Sequence, residues 1–155
     1  MRIDDRLIHG QVIAVWCKHK NFTRIVIIDD QVASDAFMQQ VLKMAAPPSI
    51  TVDVYSVDEA IETLNQGAVE PKTTMLLMKT PKTARRLYDN GLQYDALNIG
   101  GMGGGPGRKN VFKNIAMSEE EIKTLKYLMG EGVDITLLTV PGEKSKKFSD
   151  LAAKL

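Results

Sequence analysis

Ile25-Val26-Ile27-Ile28 is an unbroken run of β-branched, apolar residues. A strand with this pattern is apolar on both faces, which is typical of a parallel strand covered by helices on each side of its sheet. Comparable short runs lie further along the chain, at residues 50–55, 75–78, 97–99 and 135–138. A longer stretch with helical features separates each run from the next. This alternation predicts an α/β fold, with a single doubly wound, mostly parallel sheet and helices on both faces.

Residues that cap helix ends mark the stretches between the strands. Ser34 is a candidate N-cap for a helix that ends before Pro47-Pro48, and Thr80 precedes a proline that suits the first turn of a helix. Ser118 and Glu121 have the spacing of a capping box. These signals predict that the stretches between the strands are helices.

The composition is that of an ordinary globular protein. The chain has 155 residues, of which 44% are hydrophobic and 25% charged, and this fits one domain over residues 1–155. Twenty basic and nineteen acidic side chains give a net charge of +1, so no overall field favours nucleic acid or an anionic membrane. We therefore expect any anion site to be local.

Cysteine content and hydropathy limit which classes of protein the chain can belong to. One cysteine, Cys17, excludes an internal disulfide and a cysteine-based metal cluster. The first residues are charged, and no apolar run approaches the roughly 18 residues of a membrane span. We expect a cytoplasmic protein without a metal site, held at any membrane by a partner.

Four segments follow predicted strands and are candidates for a binding site: residues 4–11, 29–34, 79–81 and 100–109. In a doubly wound sheet, ligands bind outside the carboxyl ends of the strands. We therefore expect all four segments to meet along one edge of the sheet.

His9 lies in the first of these segments, at the start of a predicted helix. Free backbone N–H groups and the helix dipole there stabilise an added phosphoryl group and favour the neutral, nucleophilic imidazole. Arg6 is placed to clamp phosphoryl oxygens, and Asp4 or Asp5 to fix the imidazole tautomer. Gly10 leaves room for a partner to approach. A capping or partly buried structural histidine is the alternative interpretation.

The glycine-rich segment at 100–109 is predicted to be a loop. It matches neither G-x-G-x-x-G nor G-x-x-x-x-G-K-[ST]. Arg108 at its end offers a charge to a phosphate, but simple mobility explains the glycines equally well. Lys79 and Thr80 stand at another predicted helix start, where anion binding and helix capping are both open. His19, at a predicted helix end, is interpreted as a surface residue.

The segment Arg2-Ile3-Asp4-Asp5-Arg6-Leu7-Ile8-His9-Gly10-Gln11-Val12 closely resembles the signature of the IIB subunits of the mannose/fructose/sorbose family of the bacterial phosphotransferase system. Further matches to that family lie at residues 45–48, 56–61, 98–102, 107–109 and 140–141. The resemblance covers essentially the whole chain.

The resemblance implies a sheet of about seven strands with the active residue, His9, in the first loop. It implies that His9 accepts a phosphoryl group, on Nδ1, from a phosphohistidine of a IIA protein or domain. His9 then donates the group to a sugar that the membrane IIC/IID components translocate. Such a phosphotransferase needs no metal and no nucleotide cofactor. The residues expected to bind or orient the phosphoryl group are Asp5, Arg6, Gly10, Gln11, Lys79, Thr80 and Arg108.

Location and specificity follow from the same resemblance. We expect peripheral association with the inner face of the cell membrane through these partners, and no nucleic-acid partner. Mannose, fructose, sorbose and N-acetylgalactosamine are all candidate sugars, and a homo-oligomer is compatible with the sequence.

Two other hypotheses come from the residues alone. In one, the chain is a non-catalytic phosphate- or nucleotide-binding module that uses the 100–109 loop, and binding survives His9→Ala. In the other, the chain is a conventional enzyme in which His9 and Asp5 act together as a base on a small substrate. That enzyme would turn over without a protein phosphodonor.

Overall fold

The computed structural model describes residues 1–155, which form nine strands and seven helices. The strands are β1 (Arg2–Asp4), β2 (Arg24–Ile28), β3 (Thr51–Tyr55), β4 (Thr74–Met78), β5 (Ala96–Gly101), β6 (Arg108–Phe112), β7 (Ile115–Ser118), β8 (Asp134–Leu137) and β9 (Lys146–Lys147). The helices are α1 (Gly10–Lys20), α2 (Asp30–Ala33), α3 (Ala36–Ala45), α4 (Val57–Asn65), α5 (Pro81–Asp89), α6 (Glu119–Gly130) and α7 (Ser149–Ala152).

Seven strands form one sheet in the order β3-β2-β4-β1-β5-β8-β9. Every neighbouring pair is parallel except β8 with β9. The predicted α/β fold, with a mostly parallel sheet of about seven strands, is therefore confirmed. β1 lies in the middle of the sheet. The connection from β1 leads to β2 on one side of it, whereas the connection from β5 leads to β8 on the other side. This reversal opens a crevice between β1 and β5 at the carboxyl edge.

The sheet carries an apolar core on each face. Ile25 and Ile27 belong to a cluster that also holds buried residues of α1 and α3. Val26 and Ile28 belong to the opposite cluster, which holds buried residues of α4, α5 and α6. Neighbouring residues of a strand point to opposite faces, so both faces of β2 must be apolar. The continuous apolar run in β2 is the direct result.

Two predicted boundaries differ from the structure. Asp35, rather than Ser34, caps α3, because Ser34 is already the C-cap residue of the short helix α2. The Asp35 carboxylate accepts a 3.0 Å hydrogen bond from the Met38 N–H. The predicted 100–109 loop is shorter than expected, because Gly100 and Gly101 belong to β5 and Arg108 and Lys109 belong to β6.

The predicted caps Thr80 and Ser118 are confirmed, since each side chain accepts a hydrogen bond from a backbone N–H in the first turn of its helix. The β6-β7 hairpin, by contrast, has no counterpart among the predicted strands. β6 begins with three polar residues, Arg108-Lys109-Asn110, and lies outside the large sheet. It therefore lacks the apolar run by which the buried strands were recognised.

Leu77→Ala tests the core on the α1 face of the sheet. Leu77 is fully buried in β4, and we expect its truncation to lower the free energy of unfolding by about 2–5 kcal/mol through lost burial and the remaining cavity. Met44→Ala is the matched control, because Met44 is 84% exposed on α3. Its truncation should change stability by less than about 0.5 kcal/mol. Urea denaturation measures both variants, and equal effects would contradict the assigned core.

Candidate active site

The chain turns tightly between β1 and α1, at the carboxyl edge of the sheet. Leu7 has a φ of +56°, and its buried side chain packs in the same core cluster as α1. Gly10 has a φ of +47°, a backbone conformation that favours glycine. His9 occupies the N-cap position of α1, but its side chain makes no capping hydrogen bond. The capping role considered for His9 is therefore not observed.

The carboxylate of Asp4 contacts the His9 ring from inside the protein. Asp4 is completely buried, and its Oδ2 lies 3.1 Å from His9 Nε2. The neutral tautomer that fits this contact carries its proton on Nε2, because an ionised carboxylate only accepts hydrogen bonds. The lone pair then lies on Nδ1, which makes no hydrogen bond within the chain.

Asp5 makes a different contact. Its Oδ2 accepts a 2.6 Å hydrogen bond from the Gly103 N–H, which ties the β1-α1 turn to the segment after β5. No hydrogen bond joins Asp5 to His9. Of the two carboxylates considered for fixing the tautomer, the structure places Asp4 against the imidazole.

Two arginines bind the Asp4 carboxylate from different directions. Arg2 is 2% exposed and donates from Nη2 to Asp4 Oδ2 over 2.9 Å. Arg6 donates from Nε to Asp4 Oδ1 over 3.3 Å, yet its side chain is 49% exposed. The Nη groups of Arg6 make no hydrogen bond within the chain. Arg6 is thus able to bind an anion at the surface, whereas Arg2 is confined to the interior.

Gly100 and Gly101 make room for the buried charges. A Cβ on Gly100 would lie 1.9 Å from Arg2 Cζ, and a Cβ on Gly101 would lie 2.8 Å from Asp4 Oδ1. A side chain at either position would displace Arg2 or Asp4. The first two glycines of the segment therefore serve the packing of a buried ion pair, a role that differs from the phosphate contact or mobility inferred from the sequence.

Comparison with known families assigns the chain. A model described as "PTS system sorbose subfamily IIB component" matches residues 1–155. The chain belongs to this family. The predicted membership of the mannose/fructose/sorbose IIB components of the phosphotransferase system is thereby confirmed.

Relatives of this IIB chain include two curated proteins. The sorbose-specific EIIB component of Klebsiella pneumoniae is 36% identical over 149 residues, which are 96% of this chain and 91% of that protein. The mannose-specific EIIAB component of Escherichia coli K12 is 34% identical over 154 residues, which are 99% of this chain and 48% of that protein. The chain thus spans about half the length of the mannose-specific relatives that it matches.

Two crystal structures have the same fold. The structure of manxB from Thermoanaerobacter tengcongensis superposes with a TM-score of 0.91 at 40% identity, covering 99% of this chain and 93% of that chain. The IIBSor domain of the sorbose permease from Klebsiella pneumoniae superposes with a TM-score of 0.91 at 35% identity, covering 99% of this chain and 94% of that chain. The α/β architecture of the IIB chain is therefore shared over nearly its whole length.

Two predicted site residues follow β4, the strand beside β1. Lys79 Nζ lies 3.4 Å from Asp29 Oδ2, and the Thr80 hydroxyl caps α5. Neither makes a hydrogen bond or an ion pair with His9. Both lie at the same carboxyl edge of the sheet as His9.

Arg108 and Gln11 are the remaining predicted site residues. Arg108 binds the Glu121 carboxylate and donates a 2.6 Å hydrogen bond to the Gly103 carbonyl. Gln11 is exposed in the first turn of α1. No hydrogen bond joins either side chain to His9.

Arg2 and Asn98 were missed as site residues. The pattern Arg2-Ile3-Asp4 was the available signal for Arg2, because alternation along a strand places both charges on one face. To identify Asn98 one must know the register of the sheet, in which Asn98 on β5 pairs with Arg2 on β1. A single strand sequence does not contain that information.

None of the helices combines the length and the apolar character that a membrane span requires. No group of three or more His, Cys, Asp or Glu side chains is arranged to hold a metal ion.

Asp4→Asn tests the buried charge at the centre of the site. The substitution leaves the Arg2 guanidinium buried without a carboxylate, and we expect a loss of about 3–5 kcal/mol in the free energy of unfolding. Asp5→Asn is the matched control, because Asp5 is partly exposed and an amide oxygen still accepts from Gly103, so we expect a loss of at most about 1 kcal/mol. Chemical denaturation at one pH compares the two, and a larger loss for Asp5→Asn would contradict this arrangement.

Proposed function

We propose that this IIB chain carries a phosphoryl group on Nδ1 of His9. His9 accepts the group from a phosphohistidine on a IIA partner and donates it to a sugar held by membrane IIC/IID components. The observation that carries the proposal is the 3.1 Å contact between His9 Nε2 and the buried Asp4 carboxylate. That contact leaves the lone pair of the neutral ring on Nδ1, the nitrogen without a partner in the chain.

The first transfer requires no net movement of a proton. The Nδ1 lone pair attacks phosphorus, an N–P bond forms on His9, and the N–P bond on the donor imidazole breaks with its electron pair returning to the donor nitrogen. The His9 proton stays on Nε2 throughout, hydrogen-bonded to Asp4. Transfer between two imidazoles of similar energy depends mainly on positioning and charge stabilisation, so a strong base is unnecessary.

Positive groups surround the proposed phosphoryl position. Arg6 offers its two free Nη groups, and the first N–H groups of α1 have no partner within the helix. The first turn of α1 contains no acidic residue that would repel an anion. Lys79 and Arg108 lie further along the edge, where each is already paired with a carboxylate, that of Asp29 and that of Glu121 respectively.

The second transfer delivers the group to the sugar. A sugar hydroxyl oxygen attacks phosphorus, the N–P bond breaks with its electron pair returning to Nδ1, and the hydroxyl proton passes to water. Relatives named for mannose, sorbose, fructose and N-acetylgalactosamine all align with this chain. This spread supports selection of the sugar by the membrane components, which would hold the chain at the inner face of the membrane.

A IIA-type donor agrees with the length of the mannose-specific relative, an EIIAB component about twice as long as this chain. The rival binding-module hypothesis gains no support from the glycine segment. The Gly103 N–H donates to Asp5, and Arg108 binds Glu121, so both groups already have partners within the chain. The rival in which His9 and Asp5 act together lacks the required contact.

Incubation of the chain with phosphorylated IIA tests the proposal. We expect the wild-type chain to gain one phosphoryl group, and His9→Ala to gain none, because the accepting nitrogen is absent. His19→Ala is the matched control and should be phosphorylated like the wild type, since the chain has two histidines. Intact mass at alkaline pH, where phosphohistidine persists, measures the gain. An unmodified wild type with a competent donor would contradict the proposal, as would a modified His9→Ala.

A further inference from the structure

We propose that Arg2 is a positioning residue for phosphoryl transfer, which acts on His9 through the Asp4 carboxylate. The inference rests on the proposed function of His9 and adds a residue that never meets the phosphoryl group. Arg2, Asp4 and His9 form a continuous line of contacts from the middle of the sheet to the surface.

The Arg2 guanidinium is fixed by acceptors on three strands or their ends. Nη2 donates to Asp4 Oδ2 over 2.9 Å and to the Thr139 carbonyl over 3.1 Å. Nη1 donates to the Asn98 side-chain oxygen and to the Leu138 carbonyl over 3.2 Å. The planar guanidinium is therefore held in place by β5 and by the residues after β8, and it holds the Asp4 carboxylate in turn.

Trp16 of α1 adds a contact on another side of Arg2. The guanidinium carbon lies 5.0 Å from the centre of the Trp16 ring. The Trp16 indole N–H also donates to the Thr139 carbonyl over 2.8 Å, so both residues share one acceptor. Because His9 is the N-cap residue of α1, Arg2 is held by the same helix that begins at the reacting ring.

Asp4 Oδ2 is shared by Arg2 Nη2 and His9 Nε2. The guanidinium thus determines where the oxygen that meets the imidazole lies. An ionised carboxylate in this position only accepts a hydrogen bond from the Nε2 N–H. Without Arg2, the carboxylate is free to rotate toward Arg6, and the ring loses the contact that directs its lone pair to Nδ1.

Stability alone does not account for this arrangement. Burying an ion pair costs desolvation, and apolar residues of similar volume are often as stabilising. Burial also lowers the pKa of Arg2, and the nearby Asp4 carboxylate offsets only part of that decrease. In addition, Arg2 Nε is buried without any hydrogen-bond partner, an unfavourable contribution. A role in positioning the imidazole accounts for the presence of the pair in spite of these costs.

Arg2→Lys is the principal test, because it keeps the charge that Asp4 needs but lacks the planar fork that reaches four acceptors. We expect phosphoryl transfer from IIA to slow by about 10²-fold in kcat, as for a small misplacement of a reacting group. The KM for the donor should stay unchanged, because Arg2 is buried away from any docking surface. Arg24→Lys is the matched control, since Arg24 binds Asp53 on β3 of the same sheet, away from His9.

Gly100→Ala provides a second route to the same displacement. Arg2 is retained, but the added Cβ would lie 1.9 Å from its Cζ and must push the guanidinium aside. We expect slower transfer with an unchanged donor KM, as for Arg2→Lys. Because this variant keeps the arginine and changes only its position, it shows whether the position of the guanidinium is what matters.

The ¹⁵N NMR spectrum of the His9 ring supplies a readout that needs no donor. We expect the proton on Nε2 in the wild type and a mixture of tautomers in Arg2→Lys. Wild-type kcat together with a wild-type ring spectrum in Arg2→Lys would overturn the positioning role. If the wild type accepts no phosphoryl group, the proposed function fails, and the ring spectra still decide whether Arg2 sets the tautomer.

Discussion

One buried carboxylate, that of Asp4, joins the centre of the sheet to the histidine at its surface. It accepts hydrogen bonds from Arg2 on the inner side and contacts His9 on the outer side. A charge in this position is stable only when its partners are present and well oriented. The surrounding residues meet that condition: Gly100 and Gly101 leave space for the pair, and the β1-α1 turn brings His9 back over the end of the strand.

The topology of the sheet places this contact at an edge that a ligand can reach. β1 lies between β4 and β5, so its carboxyl end opens in the crevice where successive connections run to opposite sides. α1 begins at that point and adds its free N–H groups to the charge of Arg6. In the proposed function, this sheet edge presents the His9 imidazole together with positive groups that stabilise an incoming phosphoryl group.

The sequence predicted the fold and the position of His9 at a helix start, because both depend on local patterns. The unbroken apolar run in β2 follows from burial on two faces, and the position of His9 at a helix start follows from its neighbours. The contacts of Arg2 and the choice of Asp4 over Asp5 depend on the β1-β5 register, which brings together residues nearly a hundred positions apart. The β6-β7 hairpin escaped prediction because its first strand is polar and pairs only with β7.

In the proposed mechanism, Asp4 keeps the ring proton on Nε2 and so makes Nδ1 the nitrogen that carries phosphorus. NMR of the ¹⁵N-labelled chain after phosphorylation by IIA tests it directly, through ³¹P–¹⁵N coupling and the ring nitrogen shifts. We expect coupling to Nδ1, with the proton retained on Nε2. A phosphoryl group on Nε2 would contradict it, because that nitrogen would have to leave the Asp4 carboxylate before it could react.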